Sequence, residues 1–190
     1  MRKWNFCAGP AAIPEEVLKE AQNELLEWNL SGSSIMEVSH RSDLFAEVAA
    51  SSSRDIKALL NIGDHHEVLF LQGGATLQFT SVPLNFAKKG SIASYLNTGL
   101  WSKKAINAGS KHLRVNVAAS SEESNYIFVP NTQEWRVDPD SIYFHYVMNE
   151  TIQGIAIRDS ISLDIPIICD MSSCILSEEV DFHNLDLVYA

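Results

Sequence analysis

From Glu67 to the end of the chain, short apolar runs alternate with helix-length segments, and that alternation restricts the fold more than any other feature. The first run, Glu67-Val68-Leu69-Phe70-Leu71, ends at Gly73-Gly74 and is followed by helical spacing through Phe86. Similar runs recur at Ser91–Leu96, Leu113–Val117, Ser141–Tyr146, Ile165–Cys169 and Leu185–Tyr189. Runs this short, bounded by turn residues, read as buried strands, and their alternation with helices predicts an α/β domain with a largely parallel sheet. Ahead of them the period is helical. Val17, Leu18, Ala21, Leu25 and Trp28 predict a helix over Pro14–Trp28, with Pro14 suited to the first turn. Phe45, Val48, Ala49, Ile56, Leu59 and Leu60 predict a second over Asp43–Leu60, weakened in its middle by Ser51-Ser52-Ser53.

Composition narrows the partners. The 190 residues are 46% hydrophobic, enough for a sizeable core. A formal charge of -10 opposes nucleic acid and anionic lipid, and no basic run offsets it. Any phosphate must therefore be gripped by local donors, which favours a small ligand. Met1-Arg2-Lys3-Trp4-Asn5-Phe6 lacks a signal peptide's apolar stretch, and no apolar run nears the roughly 20 residues of a membrane span, so a cytoplasmic protein is expected. Cys7, Cys169 and Cys174 lack CxxC spacing, so neither a disulfide framework nor a zinc site is indicated, and no other metal site is expected.

Ligands of parallel sheets gather beyond the carboxyl ends of the strands. Four such positions carry chemistry. Gln72-Gly73-Gly74-Ala75-Thr76 lies where a strand is expected to pass into a helix, and its small residues would let backbone N–H groups approach an anion; a plain glycine turn is the simpler account. Tyr95-Leu96-Asn97-Thr98-Gly99-Leu100-Trp101 offers an indole for stacking on a flat ring, or for core packing. Asn149-Glu150-Thr151-Ile152-Gln153-Gly154 offers hydroxyls and amides, or a capped turn. Asp170, ending an apolar run, would be partly desolvated and so needs a cationic partner or a helix N-cap role. A ligand with a phosphate, a flat aromatic ring and a protonated ring nitrogen suits all four, and pyridoxal 5'-phosphate has these features.

Taken together, the motifs resemble the phosphoserine aminotransferases of the fold-type I pyridoxal-phosphate enzymes. The matching stretches are Asn5-Phe6-Cys7-Ala8-Gly9-Pro10-Ala11, Met36-Glu37-Val38-Ser39-His40-Arg41, Gln72-Gly73-Gly74-Ala75, Pro83-Leu84-Asn85, Asn149-Glu150-Thr151-Ile152-Gln153-Gly154-Ile155-Ala156 and Asp170-Met171-Ser172-Ser173. The resemblance implies the three-layer α/β/α large domain of that fold, over residues 15–190, preceded by an N-terminal arm, 1–14. It implies that Ala75 and Thr76 contact the cofactor phosphate, Trp101 stacks on the ring, Thr151 bonds the ring hydroxyl oxygen and Asp170 faces the pyridine nitrogen. His40 and Arg41 would hold the substrate. The implied reaction moves an amino group between L-glutamate and 3-phosphohydroxypyruvate, forming phosphoserine in serine biosynthesis, with a phosphorylated threonine of pyridoxine biosynthesis as a second substrate in many members. A homodimer is implied as well.

The chain departs from that pattern in one respect that matters for chemistry. The family's lysine, which joins the cofactor aldehyde, follows closely on the strand that here ends at Tyr189-Ala190. The eight lysines of this chain are Lys3, Lys19, Lys57, Lys88, Lys89, Lys103, Lys104 and Lys111, and none follows Asp170. No catalytic residue is therefore assigned. The expectation is a truncated large domain without the C-terminal small domain, inactive alone. Two other readings remain: a non-catalytic or split-chain module that associates through an uncovered sheet, and another fold-type I enzyme such as a cysteine desulfurase relative. Cys7 and Ala8, where many relatives carry a hydroxyl residue, are smaller departures.

Overall fold

In the computed structural model, which describes residues 2–190, the contacts divide the chain into two compact units, Met1–Leu69 and Phe70–Ala190. The expected arm falls in the first unit, and its Met1 lies outside the described residues.

Local chemistry explains the helices of the first unit. Helix α1, Glu15–Asn23, starts after Pro14 and carries Glu15 and Glu16 in its first turn, where negative charge suits the exposed N–H groups. It stops short of the expected end at Trp28. The chain instead turns back through left-handed residues at Asn29, Leu30 and Gly32, and the Trp28 N–H donates to the Ser33 carbonyl (2.9 Å). Helix α2, Asp43–Leu59, is capped by Ser42, whose Oγ accepts from the Phe45 N–H (3.3 Å). Its three serines do not break it; Ser52 Oγ donates to the Val48 carbonyl one turn back (2.8 Å), which satisfies the hydroxyl within the helix. Asn61, at φ 51°, ends it. The Ile62 N–H reaches the Lys57 carbonyl (3.1 Å) and the Asn61 N–H the Ala58 carbonyl (3.2 Å), the paired bonds of a Schellman turn.

The second unit runs α3 (Gly74–Phe86), β1 (Ile92–Asn97), α4 (Leu100–Gly109), β2 (Arg114–Ser120), β3 (Ser141–Val147), β4 (Asn149–Glu150), β5 (Ile155–Ala156), β6 (Ile167–Asp170) and β7 (Leu187–Tyr189). Strands β2-β1-β3-β6-β7 form one sheet in that order, every pair parallel, and β4 with β5 makes a short antiparallel hairpin. Strands β1, β3 and β6 are covered on both faces, which is why they read as near-continuous apolar runs. On one face Phe79 and Val82 of α3 and Ala105 of α4 pack with Ala93, Tyr95, Tyr143, Ile168 and Tyr189. On the other, Trp135 stacks on Phe144, ring centroids 5.3 Å apart. The connections from β2 to β3 and from β6 to β7 carry turns and irregular chain rather than α-helices.

One expected strand is absent. Residues 67–71 join no ladder, and Leu69, Phe70 and Leu71 are 72%, 60% and 65% exposed. An apolar run becomes a strand only when a neighbour supplies hydrogen bonds, and no strand of the described residues lies beside this one. Conversely, the β4–β5 hairpin, too short to show a period, went unread. No helix of the described residues is long and apolar enough to cross a membrane.

Candidate functional site at the carboxyl ends of the strands

The site is assembled in the second unit, at the ends of β1, β3 and β6. At the start of α3, Gly73 adopts φ 93°, and a Cβ there would stand 2.5 Å from the Leu77 side chain, so only glycine fits. No side chain caps this helix, and the N–H groups of Gly74, Ala75 and Thr76 form no hydrogen bond among the described residues. Ala75 packs against the core cluster while Thr76 is exposed, so the turn presents free donors at a positive helix end.

Helix α4 begins differently. Its first N–H groups are met by side chains from the hairpin 48 to 53 residues away. Glu150, 1% exposed, accepts from the Trp101 N–H (2.9 Å) and the Ser102 N–H (2.8 Å), and Gln153 Oε1 accepts from the Leu100 N–H (3.2 Å). Ser102 Oγ in turn accepts from the Thr98 and Gly99 N–H groups (2.9 and 3.0 Å). Gly99 is extended, so conformation does not demand glycine there. Space does: a Cβ would stand 2.5 Å from Glu150 Cδ and 2.6 Å from Gln153 Oε1. Trp101, half-buried, packs on the core cluster, and Lys104 Nζ lies 4.4 Å from its ring centroid.

The same hairpin is tied to the end of β6. Asn149 Nδ2 donates to Ser173 Oγ (2.7 Å), and Ser173 Oγ donates to the Asn149 carbonyl (3.1 Å). Thr151 opens the hairpin turn, half-buried, and its hydroxyl has no partner among the described residues. Asp170, 4% exposed, pairs in register with Val147 and Tyr189. Its Oδ1 accepts from the Ser172 N–H (2.9 Å) and hydroxyl (2.6 Å). Among the described residues no donor reaches Oδ2 and no cation pairs with the group. Burial raises its pKa above the usual carboxylate value, although the bonds from Ser172 oppose the rise.

Side chains alternate along a strand, so Asp170 shares the face of Ile168, the face on which α3 and α4 pack. Ala75, Trp101, Thr151 and Asp170 thus belong to one end of the sheet, with Trp101 and Asp170 on one face. On that face, a layer deeper, His145 is buried, with Nε2 2.8 Å from the Tyr189 hydroxyl and Nδ1 without a partner. His40 and Arg41 belong to the first unit, where both are exposed on the turn before α2. Their side chains form no hydrogen bond or ion pair among the described residues. A separate cavity lined by Tyr146, Met148, Ile157, Ile161 and Leu185, with Arg158 and Glu178 beside it, lies on the opposite face of the sheet.

Sequence reading missed Glu150 and Gly99. A buried acid in a polar motif is visible only as another charge, and nothing local links it to a helix so distant in sequence.

The site thus combines a doubly covered parallel sheet with a free-donor helix start, an indole and a desolvated carboxylate at its carboxyl end, the arrangement of an α/β domain of the doubly wound class. The chain belongs to the aminotransferase class-V family, whose model matches residues 3–190. Phosphoserine aminotransferases are among its curated relatives: that of Hahella chejuensis is 50% identical over 190 residues, covering 100% of this chain and 53% of the relative. The solved phosphoserine aminotransferase of Bacillus circulans subsp. alkalophilus matches with a TM-score of 0.95 at 42% identity, over 98% of this chain and 52% of that one. A pyridoxal-phosphate-bound phosphoserine aminotransferase from Trichomonas vaginalis matches with a TM-score of 0.91 at 38% identity, over 97% and 52%. The chain spans about half the length of these relatives.

Proposed function

We propose that these residues form the cofactor-binding part of a phosphoserine aminotransferase that binds pyridoxal 5'-phosphate and moves an amino group between L-glutamate and 3-phosphohydroxypyruvate. The observation that carries this reading is Asp170, a buried carboxylate with one oxygen unpartnered, on the sheet face that also holds Trp101. When bound, the cofactor supplies an aldehyde that takes up the amino group and a ring that accepts the electrons left when a substrate Cα–H bond breaks. Asp170 accepts the ring N–H and keeps that nitrogen protonated, a pairing that offsets the cost of burying its charge. The free N–H groups of Ala75 and Thr76, with the Thr76 hydroxyl, hold the phosphate. Thr151 donates its hydroxyl to the ring oxygen, and Trp101 covers one ring face and excludes water. His40 and the forked guanidinium of Arg41 hold the substrate's carboxylate or phosphate. Residues 1–14 serve as an arm and 15–190 as part of the large domain, in a cytoplasmic homodimer; the phosphorylated threonine of pyridoxine biosynthesis is a second substrate.

The lysines of the second unit give no covalent anchor. Lys88, Lys89 and Lys111 precede β1 and β2, at the amino ends of the strands, while Lys103 bonds Glu122 and Lys104 lies over Trp101. Pyridoxal 5'-phosphate should therefore bind the 190-residue chain reversibly. Borohydride should trap no stoichiometric adduct on a single lysine, and glutamate with 3-phosphohydroxypyruvate should give no turnover. Asp170→Ala and Trp101→Phe should each weaken the binding. Unchanged affinity in both variants would overturn the cofactor site, and turnover by the chain alone would overturn the inactivity. The exposed Trp4, Phe6, Leu26 and Leu30 favour a second reading, a module completed by another chain, which co-purification of a C-terminal polypeptide would support.

A further inference from the structure

We infer that Glu150 is a positioning residue: from the hairpin that carries Thr151 it anchors the first turn of α4 and so sets the Trp101 indole against the cofactor ring. The inference rests on the cofactor-site reading above and adds to it a residue that touches neither cofactor nor substrate. Three observations carry it. Both carboxylate oxygens are committed to the backbone of α4, one to the Trp101 N–H and the other to the Ser102 N–H. Gln153, on the same hairpin, takes the preceding N–H, so three consecutive helix donors are met from one turn. Gly99 lets the carboxylate come this close, since a Cβ would overlap it.

The chemistry suits a fixed anchor. Glu150 is buried without a cationic partner among the described residues, and both of its carboxyl oxygens meet N–H groups at the positive end of α4. A water-filled cap could satisfy the same donors, yet it would leave α4 free to shift against the hairpin. Because Trp101 lies within the capped turn and its own N–H is one of the bonds, the bond pair fixes the base of the indole to the hairpin.

Pyridoxamine 5'-phosphate is the suitable probe, because its amine cannot join to lysines and its affinity reports the ring and phosphate contacts alone. In the 190-residue chain labelled with fluorotryptophan, with resonances assigned by single Trp→Phe variants, Glu150→Gln keeps the shape but turns a donor toward one helix N–H. Glu150→Gln should leave the circular dichroism intact, shift the Trp101 resonance but not that of Trp135, and weaken binding by about tenfold. In the Trp101→Phe background the same substitution should have no further effect on affinity. A folded Glu150→Gln chain with an unmoved Trp101 resonance, or a tenfold loss that persists without Trp101, overturns the positioning role. If Trp101→Phe alone leaves affinity unchanged, the stacking assignment fails rather than the anchor. Should Glu150→Gln not fold, Gln153→Ala, which removes only the Leu100 acceptor, must shift the same resonance for the role to stand.

Discussion

The two units hold their secondary structure by different means. In Met1–Leu69 the helices are written in local bonds: the Ser42 cap, the Schellman turn at Asn61, and a capping box in which Ser34 and Glu37 satisfy each other across a single 3-10 turn. Neither α1 nor α2 buries a residue, and Trp4, Phe6, Leu26 and Leu30 are 87–93% exposed. In Phe70–Ala190 the helices and strands are held by what they pack against, and Tyr143, Phe144, Leu96 and Ile168 have essentially no exposure. Helices of this length are marginal without a covered apolar face. Stability should therefore reside in the sheet unit, and the first unit should respond weakly to loss of its large side chains.

The widest gap is expected between Phe144→Ala and Leu30→Ala. Deleting the buried ring should cost about 3–5 kcal/mol, whereas the exposed leucine should matter by less than about 0.5 kcal/mol. Urea unfolding of both variants, followed by near-ultraviolet circular dichroism, measures this, and equal losses would break the distinction. Glycines sharpen it at the next level. A Cβ at Gly109 would stand 2.5 Å from the Tyr95 hydroxyl, which is held 2.6 Å from that of Tyr143, while at Gly63 nothing lies within 4 Å. Gly109→Ala should cost about 1–3 kcal/mol and Gly63→Ala almost nothing.

Within the sheet unit, burial also makes stability depend on pH. Burial pushes the His145 imidazole down to about 3 from 6.5. The unfolded chain then takes up a proton near pH 6.5 that the folded sheet refuses until near pH 3, so stability is complete above that upper value and drains away as pH falls through the lower. Asp170 acts oppositely: its raised carboxyl favours the fold below its unfolded value of 3.8 and opposes it as pH rises through the folded value. His145→Asn should flatten the acid limb of the urea midpoint, and Asp170→Asn should raise the midpoint at neutral pH in the absence of ligand. An unchanged pH profile in both would remove burial as the cause. The smallest effect is expected at the exposed Lys19–Glu15 pair (2.8 Å) on α1, where Glu15→Gln should change stability by no more than about 0.5 kcal/mol.

Much of this was legible in the residues. The strands β1, β2, β3, β6 and β7, the two early helices and the helix after Gly73-Gly74 follow from period and turn residues, and a joint match of motifs pointed to the family. The strand expected at 67–71 failed because its apolar pattern matches a strand while no partner exists to pair with it among the described residues. The early end of α1 at Asn23 escaped notice because its apolar spacing continues to Trp28, and the left-handed turn at 29, 30 and 32 lies beyond that point.

What the sequence by itself determined is the local grammar: most of the strands and helices, the alternation between them, and which side chains could serve a phosphate, a ring and a ring nitrogen. Tertiary structure alone decided that the strands run β2-β1-β3-β6-β7, that Asp170 and Trp101 share a face, and that Glu150 closes the start of α4. The reason is range. Periodicity and capping act between residues within a turn or two of each other, whereas register, burial of a carboxylate and the need for a bare Gly99 arise only when segments nearly fifty residues apart compete for the same space.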